Sequence, residues 1–155
     1  MSLRKAAFAI PGDLSTLTGG YIYERRLLLG LREVGHEVEH VALPASFPAQ
    51  TLELAKDSLA RLASLGPDRA LILDGFISGG LPGLDILPSP MVAMVHHPLA
   101  LETGLTEDRR ASLYEIERRN LEIVQHVLVP SRHTAHILET QYAVAPERIT
   151  IAPPG

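Results

Sequence analysis

The sequence predicts an α/β domain built on a parallel sheet, and three observations carry that expectation. Short apolar runs recur along the chain, and stretches with helical apolar spacing separate them. Such alternation points to a parallel sheet covered on both faces. The run Met91-Val92-Ala93-Met94-Val95 is uninterrupted, as in a strand buried on both sides. It ends abruptly at His96-His97-Pro98, which places two imidazoles at the carboxyl end of a strand. In an open α/β sheet that edge is where ligands bind, on loops held by a rigid frame.

The elements follow in order. Residues 5–11 read as a first strand, and a polar, glycine-bearing loop runs over 12–20. Residues 21–34 read as a helix, with Leu27, Leu28, Leu31 and Val34 at helical spacing and Glu24, Arg25, Arg32 and Glu33 placed largely off that stripe. Gly35 suits the left-handed position that closes such a helix. Residues 37–43 form a second strand. A helix over 51–65 carries Leu52, Ala55, Leu59 and Leu62, and Gly66-Pro67 stops it. Ala70-Leu71-Ile72-Leu73 is a third strand, ending at Asp74-Gly75. Residues 78–90, rich in Gly and Pro, read as irregular surface loop. Residues 90–95 are the fourth strand. Thr106 caps a helix that runs to about 125, with Glu107 and Asp108 in its first turn favourable to the helix dipole. Its buried side is expected to carry Leu113, Ile116, Leu121 and Val124. A fifth strand covers 126–129, Ser131 caps a helix through Tyr142, and 149–151 is a sixth strand. Right-handed crossovers then give a doubly wound, Rossmann-like sheet, and we expect the strand order 3-2-1-4-5-6.

Composition narrows the class. Of 155 residues, 46% are hydrophobic and 21% charged, which suits a globular domain with its own core. The net charge of -4 gives no electrostatic footprint for nucleic acid. The chain has no cysteine, so disulfides and thiolate metal sites are out. No apolar run approaches the ~20 residues of a membrane span, and the start lacks a signal peptide's apolar region. We therefore expect a cytoplasmic protein, with peripheral membrane association left open.

Four places can carry chemistry. In the loop over 12–20, Gly19 and Gly20 would let backbone amides approach an anion at a helix amino terminus. The loop holds neither GxGxxG nor a Walker Gly-Lys-Ser/Thr, and the loop alone favours a flexible turn that needs two glycines for geometry. His96 and His97 are adjacent on extended chain and point opposite ways, so they do not share a metal. No metal-ligand spacing such as HExxH involves them or His126, His133 and His136, and no metal is expected. A histidine there either meets a ligand or caps the strand through backbone hydrogen bonds. Asp74 ends a strand on the same edge, where it either accepts from ligand hydroxyls or caps the turn at Gly75. Glu102 lies on a loop near the histidines. The pairs Arg25-Arg26, Arg109-Arg110 and Arg118-Arg119 lie among acids and read as solvated helix faces.

Taken together, these features resemble a known family. Gly19-Gly20 before the first helix, Gly35-His36-Glu37-Val38 after it, the strand ending in His96, and Ile149-Thr150-Ile151-Ala152-Pro153-Pro154-Gly155 are similar to the amino-terminal domain of group 1 (family 4) retaining glycosyltransferases. That family has the GT-B fold, two Rossmann-like domains facing a cleft. The resemblance covers residues 1–155 as the acceptor-side domain. It implies a carboxyl-terminal nucleotide-sugar domain that this chain does not contain, and residues 151–155 as the strand and linker leading towards it. It also implies that Gly19 and Gly20 face the donor diphosphate and that His96 is the catalytic contact to the donor sugar. The family often has His-Asp where this chain has His96-His97. Asp74, His97 and Glu102 are then the acceptor-binding candidates. Ser131 matches the serine that opens the domain's last helix.

The implied activity is transfer of a sugar from a nucleotide-diphosphate donor to a hydroxyl acceptor (a sugar, lipid or small molecule), with retention. No cofactor beyond that donor is implied, and the partners are the nucleotide sugar, the acceptor and the second domain. Alone, the chain should fold but not turn over. Two other classes share the architecture. A nucleotide-sugar epimerase half-domain would need catalytic carboxylates. A non-catalytic binding module of receiver type would want an acidic cluster after the first strand, where Asp13 stands alone.

Overall fold

The computed structural model describes residues 5–13, 15 and 19–154. The chain runs β1 (Lys5–Pro11), α1 (Gly19–Glu33), β2 (Glu37–Leu43), α2 (Leu52–Ala63), β3 (Ala70–Leu73), α3 (Gly75–Gly80), β4 (Met91–Met94), α4 (Glu107–Ile123), β5 (His126–Val129), α5 (Arg132–Gln141) and β6 (Ile149–Ile151). Short 3-10 turns occupy Leu84–Ile86, Leu99–Leu101 and Pro146–Arg148. All five strand pairings are parallel. The fold is the α/β, Rossmann-like sheet that the alternation predicts.

The strand order is β2-β1-β3-β4-β5-β6, not the expected 3-2-1-4-5-6. Burial explains the difference. Three of the four residues of β3 are fully covered, which suits a central strand. In β2, Glu37, Glu39 and Ala42 are exposed between buried Val38, Val41 and Leu43, and such alternation suits an edge. The chain therefore reverses direction between β1 and β3. That is the topological switch point, the crevice where open sheets bind ligands.

Crossover handedness then sorts the helices. The β1-to-β2 connection runs one way along the sheet and the other four run the opposite way, so α1 covers one face and α2 to α5 the other. The two main apolar clusters agree. Phe8, Ile10, Ile72 and Met94 pack with Leu28 of α1. Ala9, Leu73, Ala93 and Val127 pack with Leu62 of α2, Ile77 of α3, Leu121 of α4 and Leu138 of α5.

Local signals place most helix ends. The hydroxyls of Thr51, Thr106 and Ser131 accept from the amides of Leu54, Arg109 and Thr134, satisfying donors the first turns leave open. Gly35 has φ +97°, and the amide of His36 donates to Leu31 O, closing α1 as its sequence predicts. Two expectations change in α1. Val34 is 74% exposed, whereas Glu24 is completely buried on the stripe it shares with Leu28 and Leu31. The helix also begins at Gly19, so the glycine pair forms its first turn and is not part of the loop before it. Residues 14 and 16–18 of that loop lie outside the described residues.

Residues 78–90 are irregular only in part: 78–80 complete α3, Leu84–Ile86 form a 3-10 turn, and several residues of the segment are buried. Asp74 caps α3 by accepting from the Phe76 amide at 2.8 Å, and Ile77, Ser78, Gly79, Gly80, Leu81 and Leu84 are buried. The glycines serve close packing. A Cβ on Gly79 would sit 2.8 Å from both Glu117 Oε2 and Leu99 Cδ1, and one on Gly80 would sit 2.7 Å from Pro48 Cβ. Asn120 of α4 donates from Nδ2 to Ser78 O and Leu81 O, 2.8 Å each, which ties α3 down.

Candidate active site

A cleft of about 340 Å³ opens at the carboxyl ends of β1, β3 and β4. Gly20, Asp74, His96, His97 and Glu102 all line it, as do Tyr21 and Phe76. Five sequence-predicted residues are thus brought together. Gly19 opens α1 next to Gly20. His97 and Glu102 are exposed at the mouth.

His96 follows β4 at a bend, two residues past the end of the strand. The Thr134 hydroxyl donates to its carbonyl at 3.2 Å, which pins the backbone. Tyr23 meets the imidazole edge-on, with ring centroids 5.3 Å apart and planes at 88°. A Cβ on Gly20 would lie 3.8 Å from His96 Cδ2 and Nε2, so α1 starts directly against the ring. Nε2 is buried and lies 3.5 Å from Glu24 Oε1. Burial holds the imidazole below its usual titration range, and the nearby Asp74 charge opposes that in part. His96 is therefore a neutral imidazole at neutral pH.

Asp74 is 4% exposed. Burial first, then the Glu24 carboxyl, pushes its pKa up to about 9, and the Phe76 amide only partly opposes this. Burial likewise raises Glu24, with interaction from Asp74 pulling the other way. Two buried, interacting carboxyls of this kind resist ionising together. Asp74 thus does cap a helix, and it also belongs to a carboxyl pair behind the cleft.

The sequence profile of Glycosyltransferase Family 4 matches residues 32–155. The chain belongs to glycosyltransferase family 4. No curated protein matches it. Membership supports a glycosyltransferase-type function, with a sugar and an acceptor as substrates in general.

Elsewhere in this glycosyltransferase domain a third buried carboxyl supports the loop after His96-His97. Glu117 of α4 has no exposure, and its Oε1 accepts from the Leu99 amide at 3.1 Å. Burial pushes it up to about 8. On the other side of His96, a separate groove of about 410 Å³ runs between Tyr23, Arg26 and Leu27 of α1 and residues 152–154. Among the described residues no group of three or more His, Asp or Glu is placed to hold a metal, and no helix is long and apolar enough to cross a membrane.

Sequence reasoning missed Glu24, Tyr23 and Phe76. Glu24 had a readable signal, because it lies four residues before Leu28 and seven before Leu31 on one helical stripe. Phe76 is 41% exposed at the cleft, an aromatic ring left open by a helix the Gly-rich composition concealed.

Proposed function

We propose that this domain forms the acceptor-side wall of a nucleotide-sugar-dependent, retaining glycosyltransferase of GT-B architecture. The acceptor hydroxyl attacks the anomeric carbon on the face the diphosphate leaves. The bond from that carbon to the acceptor oxygen forms as the bond to the phosphate oxygen breaks. The diphosphate departs with the electron pair and takes the hydroxyl proton. Amides of the first turn of α1, at Gly19 and Gly20, stabilise charge on the departing diphosphate. His96 hydrogen-bonds the sugar beside the reacting centre. Asp74, His97 and Glu102 shape the acceptor site, and Phe76 offers an apolar face on which an acceptor can rest. Base and ribose contacts belong to an opposing second domain.

The observation that carries this reading is the position of His96. Its imidazole stands at the switch-point edge of the sheet, against Gly20, in a cleft backed by a buried carboxyl pair. Membership of the family supports the reaction class. In the enzyme that contains this domain, His96→Ala should lower kcat about 100-fold, while nucleotide affinity changes less than about threefold. Turnover assays and calorimetry with nucleotide sugars check both values. Calorimetry on residues 1–155 alone should show weak nucleotide-sugar binding, because one wall supplies only part of the required geometry. An unimpaired His96→Ala enzyme, or tight nucleotide binding to this chain alone, would overturn the proposal.

A further inference from the structure

We propose that Glu24, on the buried stripe of α1, is a positioning residue for His96: with Asp74 it holds the Nε2 edge of the imidazole and leaves Nδ1 to face the ligand. The role in transfer rests on the function proposed above, whereas the geometry stands without it.

Three observations carry the inference. Glu24 has no solvent exposure, yet neither of its carboxyl oxygens has a hydrogen-bond partner of full geometry among the described residues. A buried carboxyl that neither caps a helix nor pairs with a cation costs stability, so a packing role does not account for it. The second observation is what it faces. Nε2 of His96 lies 3.5 Å from Glu24 Oε1 and is itself buried without a partner. Nε2 is thus the nitrogen turned inward. The third is that the ring is held in that orientation, by the edge-on Tyr23 and by Thr134 on its backbone carbonyl.

The chemistry follows from the carboxyl pair. Asp74 keeps its proton up to about pH 9, and its Oδ1 already accepts from the Phe76 amide. Glu24, also raised by burial, is the member set against Nε2 at 3.5 Å, and in its ionised form it calls for a donor there. A neutral imidazole with its hydrogen on Nε2 presents a lone pair at Nδ1. His96 therefore accepts a hydrogen bond from a ligand hydroxyl, where the sequence suggests a donor. The other titratable groups around the ring are Tyr21, Tyr23 and Arg26 of α1 and the adjoining His97. Of these neighbours, the carboxyl of Glu24 is the one set against Nε2.

The arrangement also gives the reaction a proton-sensitive element. Protonating Glu24 as well would let it donate to Nε2, moving the imidazole hydrogen to Nδ1 and reversing what the ring offers the ligand.

Nitrogen NMR on the histidine-labelled 155-residue chain tests this without any need for turnover. The neutral ring of His96 should be the Nε2–H tautomer. Its titration midpoint should fall by about one pH unit or more in Glu24→Gln, which removes the carboxylate beside Nε2, and should stay in place in Asp74→Asn, where Glu24 remains. Asparagine keeps the α3 cap, so Asp74→Asn separates the loss of the Glu24 charge from a general disturbance of the pair. An Nδ1–H tautomer in the unaltered chain, or an unmoved midpoint in Glu24→Gln, would overturn the proposal. In the enzyme, Glu24→Gln should lower kcat about tenfold and shift the acid limb of its pH profile, with KM for the nucleotide sugar within about twofold. A kcat loss that merely tracks a lower melting temperature, with an unshifted pH profile, would also count against it. An inactive unaltered enzyme with the expected NMR result would sink the proposed function and leave the positioning role intact.

Discussion

Glu24 and Glu117 are both fully buried carboxyls on long helices, yet they are built into the domain differently. Glu117 meets the backbone, with the buried Tyr142 hydroxyl also beside it. Its Oε1 accepts from the Leu99 amide, and Gly79 packs so closely that no side chain fits between them. Glu24 meets a side chain at the cleft, the imidazole of His96, across a looser 3.5 Å. A buried acid that satisfies a backbone amide fixes the shape of a loop. A buried acid that faces a titratable ring next to a cleft sets what that ring can do. Helix burial alone does not separate the two roles, whereas the identity of the partner does.

The sharpest way to break this comparison is to remove Glu117. Glu117→Ala leaves the Leu99 amide buried without an acceptor and opens a cavity under the loop that carries His97 and Glu102. The expected cost is about 3 kcal/mol, a large share of the ~5–15 kcal/mol that holds a domain of this size. Denaturant unfolding of the chain measures it, and a loss below about 1 kcal/mol would remove the structural half of the contrast. The same measurement on Glu24→Gln should show a much smaller change. The larger kinetic effects expected of His96→Ala and Glu24→Gln then mark the other half.

A second contrast is the response to pH. Asp74 and Glu117 have folded-state values of about 9 and about 8, both above their unfolded carboxylate values. A raised folded pKa means that the native state holds a proton the unfolded chain has already lost. Stability from these groups is complete below about pH 4 and is lost as pH rises towards 8 and 9, at no more than about 1.4 kcal/mol per pH unit for each group. Melting temperature should therefore fall between pH 6 and pH 8.5. Glu117→Gln should flatten that fall by removing one of the two contributions, and an unchanged slope would mean that Glu117 does not carry its proton in the folded state.

How much of this was legible beforehand differs between the two carboxyls for physical reasons. The strand-helix alternation, the caps at Thr106 and Ser131 and the left-handed Gly35 depend on local chemistry, and they read correctly from sequence. The strand ending in His96 also read correctly, because an unbroken apolar run needs no tertiary information. Strand order depends on which strand is covered on both faces. The alternation of Glu37-Val38-Glu39 in β2, set against the unbroken Ala70-Leu71-Ile72-Leu73, held that information unused. The helix over Gly75–Gly80 is too short for apolar periodicity to show, and its glycines read as looseness when they permit close packing. Glu24 and Glu117 both lie on apolar stripes, although a charged side chain on a helix ordinarily marks a solvated face. Only the packed sheet reveals what each carboxyl faces.

The smallest expected effect on folding comes from comparing the two glycines that adjoin these sites. At Gly79 a Cβ would meet Glu117 Oε2 and Leu99 Cδ1 at 2.8 Å, closer than packed atoms tolerate, and both neighbours are buried. Gly79→Ala should therefore cost about 1–3 kcal/mol, as overpacking does. At Gly20 the nearest atoms to a new Cβ belong to the His96 ring at 3.8 Å, an ordinary contact. Gly20 also sits in the first turn of α1, where alanine favours the helix. Gly20→Ala should thus leave stability within about 0.5 kcal/mol of the unaltered chain. Its methyl group would nevertheless project beside His96 in the cleft, into space the proposed donor needs. Thermal unfolding of both variants, set beside turnover of the enzyme carrying Gly20→Ala, tests the distinction. A folded Gly20→Ala enzyme with full activity would show that no ligand approaches α1 there, whereas a stable enzyme with turnover reduced several-fold would place the reacting molecule against Gly20 and the Nε2-anchored ring.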